Sequence, residues 1–162
     1  MENNDTKLKT FLSRLKIFKD CTPEEIDKIL SIVSIEHYDE NTVIFKENSP
    51  GDKFYIIRNG VVDIKKHILM DWGLETVTLS RLNPGDIFGE FSLLDNNPRS
   101  ATAIALFPTE LVAIDNKTFR NFIHENPTIG VKILLHIATD LVKKLRATDE
   151  IVKALTQRVL TI

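Results

Sequence analysis

The sequence predicts an α+β domain: a small antiparallel β-barrel or jelly roll of about eight strands. Helices precede it, one short helix interrupts it, and two more follow, the last one long. Three observations carry this. Apolar spacing is helical near the N-terminus, changes to short β-branched and aromatic runs from about residue 35, and turns helical again after about 115. Turn-forming clusters separate the middle runs at short intervals, as in small barrels. From Pro127 to Ile162 there is no further proline, and apolar residues recur by alternating fours and threes.

The elements follow in order. "LKTFLSRLKIF" places Leu8, Phe11, Leu12 and Leu15 on one helical face. In "CTPEEIDKIL", Thr22 is a good N-cap, Pro23 suits the first helical position and Glu25 completes a capping box. Ile26, Ile29, Leu30 and Val33 continue that second helix at helical spacing. Six strand-like runs come next: "NTVIFKEN", "KFYIIRNG", "VVDIKKHI", "ETVTLSRL", "SATAIALF" and "ELVAIDN". "NSPGD", Asn59–Gly60, "DWG", "NPGD" and "DNNP" separate them. Asn59–Gly60 predicts a type I′ hairpin, a turn that needs positive φ at both positions.

"NKTFRNFIHEN" is a short helix opened by Asp115 or Asn116, and Pro127 begins the long one. Along it Leu134, Ala138, Leu141, Leu145, Thr148, Val152, Leu155 and Val159 form a heptad seam. At 1.5 Å per residue, about 34 residues make a rod of about 50 Å, longer than a domain of this size can cover. The seam is therefore expected to pair two copies of the chain. Its first half can equally lie along its own barrel. The expected organisation is a barrel with its N-terminal helices over 1–126 and a dimerisation helix over 127–162.

Composition narrows the function classes. The chain has 162 residues and a net charge of −2, which gives no general attraction to nucleic acid or to an anionic membrane. Cys21 is the only cysteine, so there is no internal disulfide and no cysteine-rich zinc site. The N-terminus lacks the apolar core of a signal peptide, and no apolar stretch approaches the ~18 residues of a membrane helix. A cytoplasmic location is expected. His37, His67, His124 and His136 are scattered, and no Ser–His or Cys–His pairing suggests a nucleophile, so neither metal nor enzyme activity is expected.

One segment departs from ordinary core. "FGEFSLLDNNPRSATAIA", residues 88–105, is mostly apolar but carries Glu90 and Arg99. Buried charges need partners. Either these two neutralise each other, or they await a ligand with both hydroxyls and a negative charge. An arginine fork can hold two phosphate oxygens, and a carboxylate accepts from a ribose hydroxyl. Gly89 lets the backbone come close, and "EFSLL" can form a short helical turn. The combination describes a cradle for a sugar phosphate.

"FGEFSLLDNNPRSATA" resembles the phosphate-binding cassette of the cyclic nucleotide-binding domain family, and "GDKFYIIRNGVVDI" and "LNPGDIFGE" resemble the segments that precede it. The resemblance covers nearly the whole chain; Phe91, where the family usually has an aliphatic residue, departs from it. It implies that Arg99 binds the exocyclic phosphate oxygens and Glu90 the ribose 2′-hydroxyl. Gly89, Ser92, Ser100 and Ala101 would add backbone groups, with the Ser100 hydroxyl near the phosphate and Phe91 beside them.

"KKLRATDEIVKAL" resembles the dimer helix of the bacterial catabolite activator branch of that family, which makes Thr148 and Asp149 base contacts. The alternative for Thr148 is a residue that only sets helix register. "LSRLNPGD" resembles the facing strand, which adds Leu79 and Ser80. Asp149 suits guanine and Thr148 suits adenine, so cAMP is the expected ligand and cGMP the alternative. The resemblance implies a homodimeric sensor that reports ligand state to an effector protein or an output domain. No basic recognition helix for nucleic acid is present, and the chain stops near where such a domain would begin. The sensory half of a transcription regulator, or a ligand-free scaffold of the same fold, are the other readings.

Overall fold

The computed structural model describes residues 4–160, with side chains placed as far as residue 157. Helix α1, Asn4–Arg14, leads through a 3-10 turn, Lys16–Phe18, to α2, Pro23–Leu30. The Thr22 hydroxyl accepts from the Glu25 amide while the Glu25 carboxylate accepts from the Thr22 amide, so the capping box forms as expected. Eight strands follow: β1 Val33–Tyr38, β2 Val43–Phe45, β3 Lys53–Asn59, β4 Val62–Met70, β5 Gly73–Leu82, β6 Ile87–Phe88, β7 Thr102–Ala105 and β8 Thr109–Asp115. They make two antiparallel four-stranded sheets, ordered β1-β8-β3-β6 and β2-β7-β4-β5. Helix α3, Phe91–Asp95, lies between β6 and β7, and α4, Asn116–Glu125, and α5, Pro127–Leu160, close the chain.

Two local expectations are corrected. Val33 opens β1 rather than extending α2; the helix stops at Leu30, and Ser31 turns the chain back with its amide on the Ile29 and Lys28 carbonyls. Asn59–Gly60 is not a hairpin, because β3 and β4 belong to different sheets. Only Gly60 has positive φ, whereas type I′ requires it at both residues. The segment is a corner at which the chain changes sheets. The hairpin of the domain is β4–β5, paired from Val62–Leu82 out to Met70–Gly73.

The alternation of β3 explains its unbroken "FYII". Tyr55 and Ile57 point between the sheets, with Val62, Phe88, Ala103, Leu111 and Ala113. Phe54 and Ile56 point the other way, into a helical layer built from Leu12, Phe18, Ile26, Ile29, Phe119, Phe122 and the first turns of α5. Small residues at 103 and 113 leave room for the aromatic side chains of the inner layer.

Helix α5 has two regimes. Ile129, Ile133 and Ile137 are buried against the domain, and Leu134 and Leu141 pack on the same cluster. Lys132 donates to Glu25 at 2.7 Å, and His136 meets Asp20 at 2.6 Å. Leu134 and Leu141 therefore belong to their own domain, not to a free seam. In the first half the uncovered apolar face runs through Val131, Leu135, Ala138 and Val142, keeping Ala138 of the expected seam but taking Leu135 and Val142 in place of Leu134 and Leu141. It continues through Leu145, Val152 and Leu155, exposed at 61%, 55% and 56%. The Val159 side chain of the expected seam lies outside the described residues.

If the first half of α5 is domain core, Ile133→Ala should cost about 2–5 kcal/mol of unfolding free energy. Urea denaturation should show a lower midpoint with an unchanged slope. An unchanged midpoint would mean that α5 does not dock.

Candidate functional site

The cassette is placed by β6 on one side and β7 on the other. After Phe88 the chain passes through Gly89 at φ +77°, Glu90 precedes α3, and Asn96 at φ 56° ends that helix. A Cβ on Gly89 would stand 2.7 Å from Arg99 Nη1, so position 89 needs glycine for both backbone and space. Arg120 of α4 holds the end of α3 by donating to the Leu93 carbonyl and to Asn96 Oδ1.

Arg99 is buried, its side chain only 3% exposed. Nη1 donates to the Gly89 carbonyl at 3.0 Å and to Ser92 Oγ at 3.1 Å, and Nη2 donates to the Lys53 carbonyl at 2.7 Å. The Ser92 hydroxyl in turn donates to the Gly89 carbonyl. Of the five guanidinium N–H groups, that leaves the buried Nε–H and one on Nη2 without a hydrogen-bond acceptor among the described residues. The nearest carboxylate is that of Asp52, 3.9 Å away and largely in solvent. Burial pulls the pKa of Arg99 below its ordinary value, opposed by Tyr55, Asp52 and Glu90. A guanidinium does not deprotonate in a protein. The site therefore holds a desolvated cation whose nearest counter-ion, Asp52, is solvent-exposed and makes no hydrogen bond to it.

The loop between β2 and β3 encloses this cation. Asn48 donates its amide to the Arg99 carbonyl at 2.8 Å, and the Arg99 amide donates to the Ser49 carbonyl at 2.9 Å. A Cβ on Gly51 would overlap Ser92, so that loop closes only with glycine there.

Glu90 is buried as well, but it does not neutralise Arg99. Its Oε1 accepts from Lys144 Nζ of α5 at 2.7 Å. Lys144 also lies 3.6 Å from Asp140, one turn earlier. The carboxylate thus ties the cassette to the long helix across 54 residues of sequence.

Both charged residues line a cavity of about 500 Å³, within the range of small-molecule sites. The cassette contributes Gly89, Glu90, Phe91, Ser92, Arg99, Ser100 and Ala101 to its wall. The β4–β5 hairpin adds Leu79 and Ser80, and α5 adds Thr148, together with Ile64, Ala147 and Ile151. Thr148 donates its hydroxyl to the Lys144 carbonyl at 3.0 Å, so its oxygen remains free to accept. Asp149 is not in the lining; it stands four residues after Leu145 and seven after Val142, on the uncovered face of α5. Sequence reasoning missed Phe45, the Lys53 carbonyl and Lys144. Among the described residues, no three His, Cys, Asp or Glu side chains are grouped to hold a metal ion, and no helix is long and apolar enough to cross a membrane.

Residues 35–126 match the cyclic nucleotide-binding domain. The chain is 33% identical over 133 residues to the cyclic AMP receptor protein of Thermus thermophilus, covering 82% of this chain and 58% of that one. It is 32% identical over 120 residues to the cGMP-dependent protein kinase egl-4 of Caenorhabditis briggsae, covering 74% of this chain and 16% of the kinase. It therefore spans less than two thirds of either relative. Among solved structures, the catabolite activator protein of Thermus thermophilus superposes with a TM-score of 0.76 at 32% identity, over 87% of this chain and 63% of that one. A cyclic nucleotide-binding domain from Methylobacillus flagellatus superposes with a TM-score of 0.77 at 25% identity, over 90% and 80%.

Gly89→Ala tests the construction of the cradle. A side chain at positive φ against a buried guanidinium should lower stability by about 1–3 kcal/mol, which thermal unfolding would read as roughly 2–12 °C. An unchanged unfolding midpoint would show that the guanidinium does not occupy that space.

Proposed function

The chain belongs to the cyclic nucleotide-binding domain family, and from that premise we propose that it is a regulatory sensor that binds a cyclic nucleotide, cAMP in preference to cGMP. The observation that carries this is the buried guanidinium of Arg99, which has donors without acceptors and only the exposed Asp52 carboxylate, 3.9 Å away, as a counter-ion. A cyclic phosphate supplies what is absent: a buried negative charge and oxygens that accept. Glu90 takes the ribose 2′-hydroxyl. Gly89, Ser92, Ser100 and Ala101 surround the phosphate, and the apolar wall of Leu79, Phe91 and Ile151 covers the base.

Base preference rests on Thr148. Its hydroxyl hydrogen is committed to the helix backbone, which leaves the oxygen an acceptor for the adenine amino group. Asp149, the residue suited to guanine, is not in the lining of this cavity.

A second copy of the chain is the other half of the proposal. Val131, Leu135, Ala138, Val142, Leu145 and Val152 form an apolar face on α5 spaced for helix pairing. We assign it to a homodimer, with the dimerisation helix drawn from 127–162. Lys144 then supplies the relay. A hydroxyl that occupies Glu90 alters the ion pair that ties the cassette to α5, so ligand shifts the helix between arrangements that an effector, attached or separate, can read.

Calorimetric titration should show binding of cAMP tighter than cGMP, and Arg99→Ala should weaken it at least about tenfold in a folded protein. Glu90→Gln should weaken cAMP far more than its 2′-deoxy analogue. No heat from either nucleotide would overturn the reading. Sedimentation should find a dimer that Leu145→Glu converts to a monomer; a wild-type monomer with and without nucleotide would remove the relay while leaving the binding site.

A further inference from the structure

The guanidinium of Arg99 is held in its plane by carbonyls at its edge, and one of its faces is also covered. The Phe45 ring centroid lies 4.1 Å from the guanidinium carbon, and that of Tyr55 lies 5.9 Å away. Phe45 belongs in turn to an aromatic trio, 6.1 Å from Tyr55 and 5.9 Å from Phe88, with Tyr55 and Phe88 5.2 Å apart. Tyr55 and Phe88 are fixed in the inner core. Phe45, at the end of β2, and Phe88 both reach the cavity wall, and Phe45 is the member that lies against the guanidinium. A Cβ on Gly89 would lie 3.5 Å from the Phe45 ring, an ordinary contact, so it is the guanidinium and not the ring that needs glycine there.

The carbonyls of Gly89 and Lys53 and the Ser92 hydroxyl restrain rotation within the guanidinium plane. They do not stop the fork from tilting out of it. A π-face at 4.1 Å does, and its negative quadrupole attracts a cation whose nearest counter-ion is the exposed Asp52. Without the ring the side chain gains tilting freedom, which a ligand must remove on binding. We infer that Phe45 is a positioning residue for the phosphate-binding arginine: its ring fixes the tilt of the Arg99 fork and does not itself recognise the nucleotide. This rests on the reading of Arg99 as the phosphate ligand.

The test is a double-mutant cycle read by calorimetry with cAMP, together with a measurement that needs no nucleotide. Phe45→Leu should weaken cAMP binding about five- to tenfold, the scale of a desolvated cation–π contact. Phe45→Tyr should stay within about twofold of wild type. In an Arg99→Gln background, Phe45→Leu should change affinity less than about twofold. Pentafluorophenylalanine at position 45 keeps the ring's size but reverses its quadrupole, so it should reproduce the loss seen with leucine. Persistence of the loss in the Arg99→Gln background, or wild-type affinity with the fluorinated ring, would overturn the inference, since packing or direct ligand contact would then explain Phe45.

The ligand-free measurement is the NMR signal of the Arg99 Nε–H, identified by its disappearance in Arg99→Gln. It should be shielded by the ring in wild type and move downfield in Phe45→Leu. An unmoved signal overturns the positioning role whether or not cAMP binds. Failure of wild type to bind cAMP while the signal does move counts instead against the nucleotide reading.

Discussion

A positive charge sunk in a protein wall with no carboxylate hydrogen-bonded to it is costly, and much of the β-domain can be understood as the means of holding one there. Arg99 has its fork on two backbone carbonyls and one hydroxyl, its main chain clasped by the β2–β3 loop and one face on Phe45. Each support sets a condition elsewhere. Glycine is required at 89 for space and at 51 for loop closure, and the inner core must be aromatic where it backs the cation. The cost is tolerable because hydrogen bonds and a π-face replace part of the lost hydration. In the proposed function, the remaining deficit is what a small anion fills.

Glu90 meets the same difficulty with a different solution. Its carboxylate is neutralised, but by Lys144, a residue of the helix whose side chains are exposed over 142–157 and of which only Lys144, Ala147, Thr148 and Ile151 in that stretch line the cavity. The two buried charges of one cassette are thus answered separately, one by polar groups of the β-domain and one by the element that leads away from it. In the proposed relay, occupancy of the cavity and the position of α5 are linked through a single ion pair. That link needs no displacement of the core, since Ile133 and Ile137 stay anchored below it.

The cassette was legible because its chemistry is contiguous: Gly89, Glu90, Ser92, Arg99 and Ser100 fall within twelve residues, and local spacing shows how they can converge. The supports were not. The Lys53 carbonyl meets Arg99 across 46 residues and Lys144 meets Glu90 across 54, contacts set by sheet order and helix docking rather than by neighbouring sequence. Asn59–Gly60 misleads for the same reason, since a dipeptide that favours a tight turn does not say whether the strands it joins share a sheet. In α5 the heptad count was regular, yet Leu134 and Leu141 turn inward because the domain's own apolar surface reaches them first. Val33 fits the helical spacing of α2 by coincidence of a strand that begins three residues after the helix ends.

The β4–β5 hairpin carries one more consequence. Strand β7 pairs β4 only from Val62 to Lys65, whereas β4 and β5 pair out to Met70 and Gly73, so the outer hairpin is a two-stranded arm. The chain's single tryptophan, Trp72, sits at the tip of that arm, 75% exposed between Leu69 and Leu74. Two-stranded ribbons are the least stable form of sheet. Intrinsic tryptophan emission from this protein is therefore a gauge of the arm and not of the core. A denaturation curve recorded through Trp72 can run ahead of the one recorded through Tyr38 and Tyr55, both packed on the inner core, and the interval between the two measures how independently the arm melts.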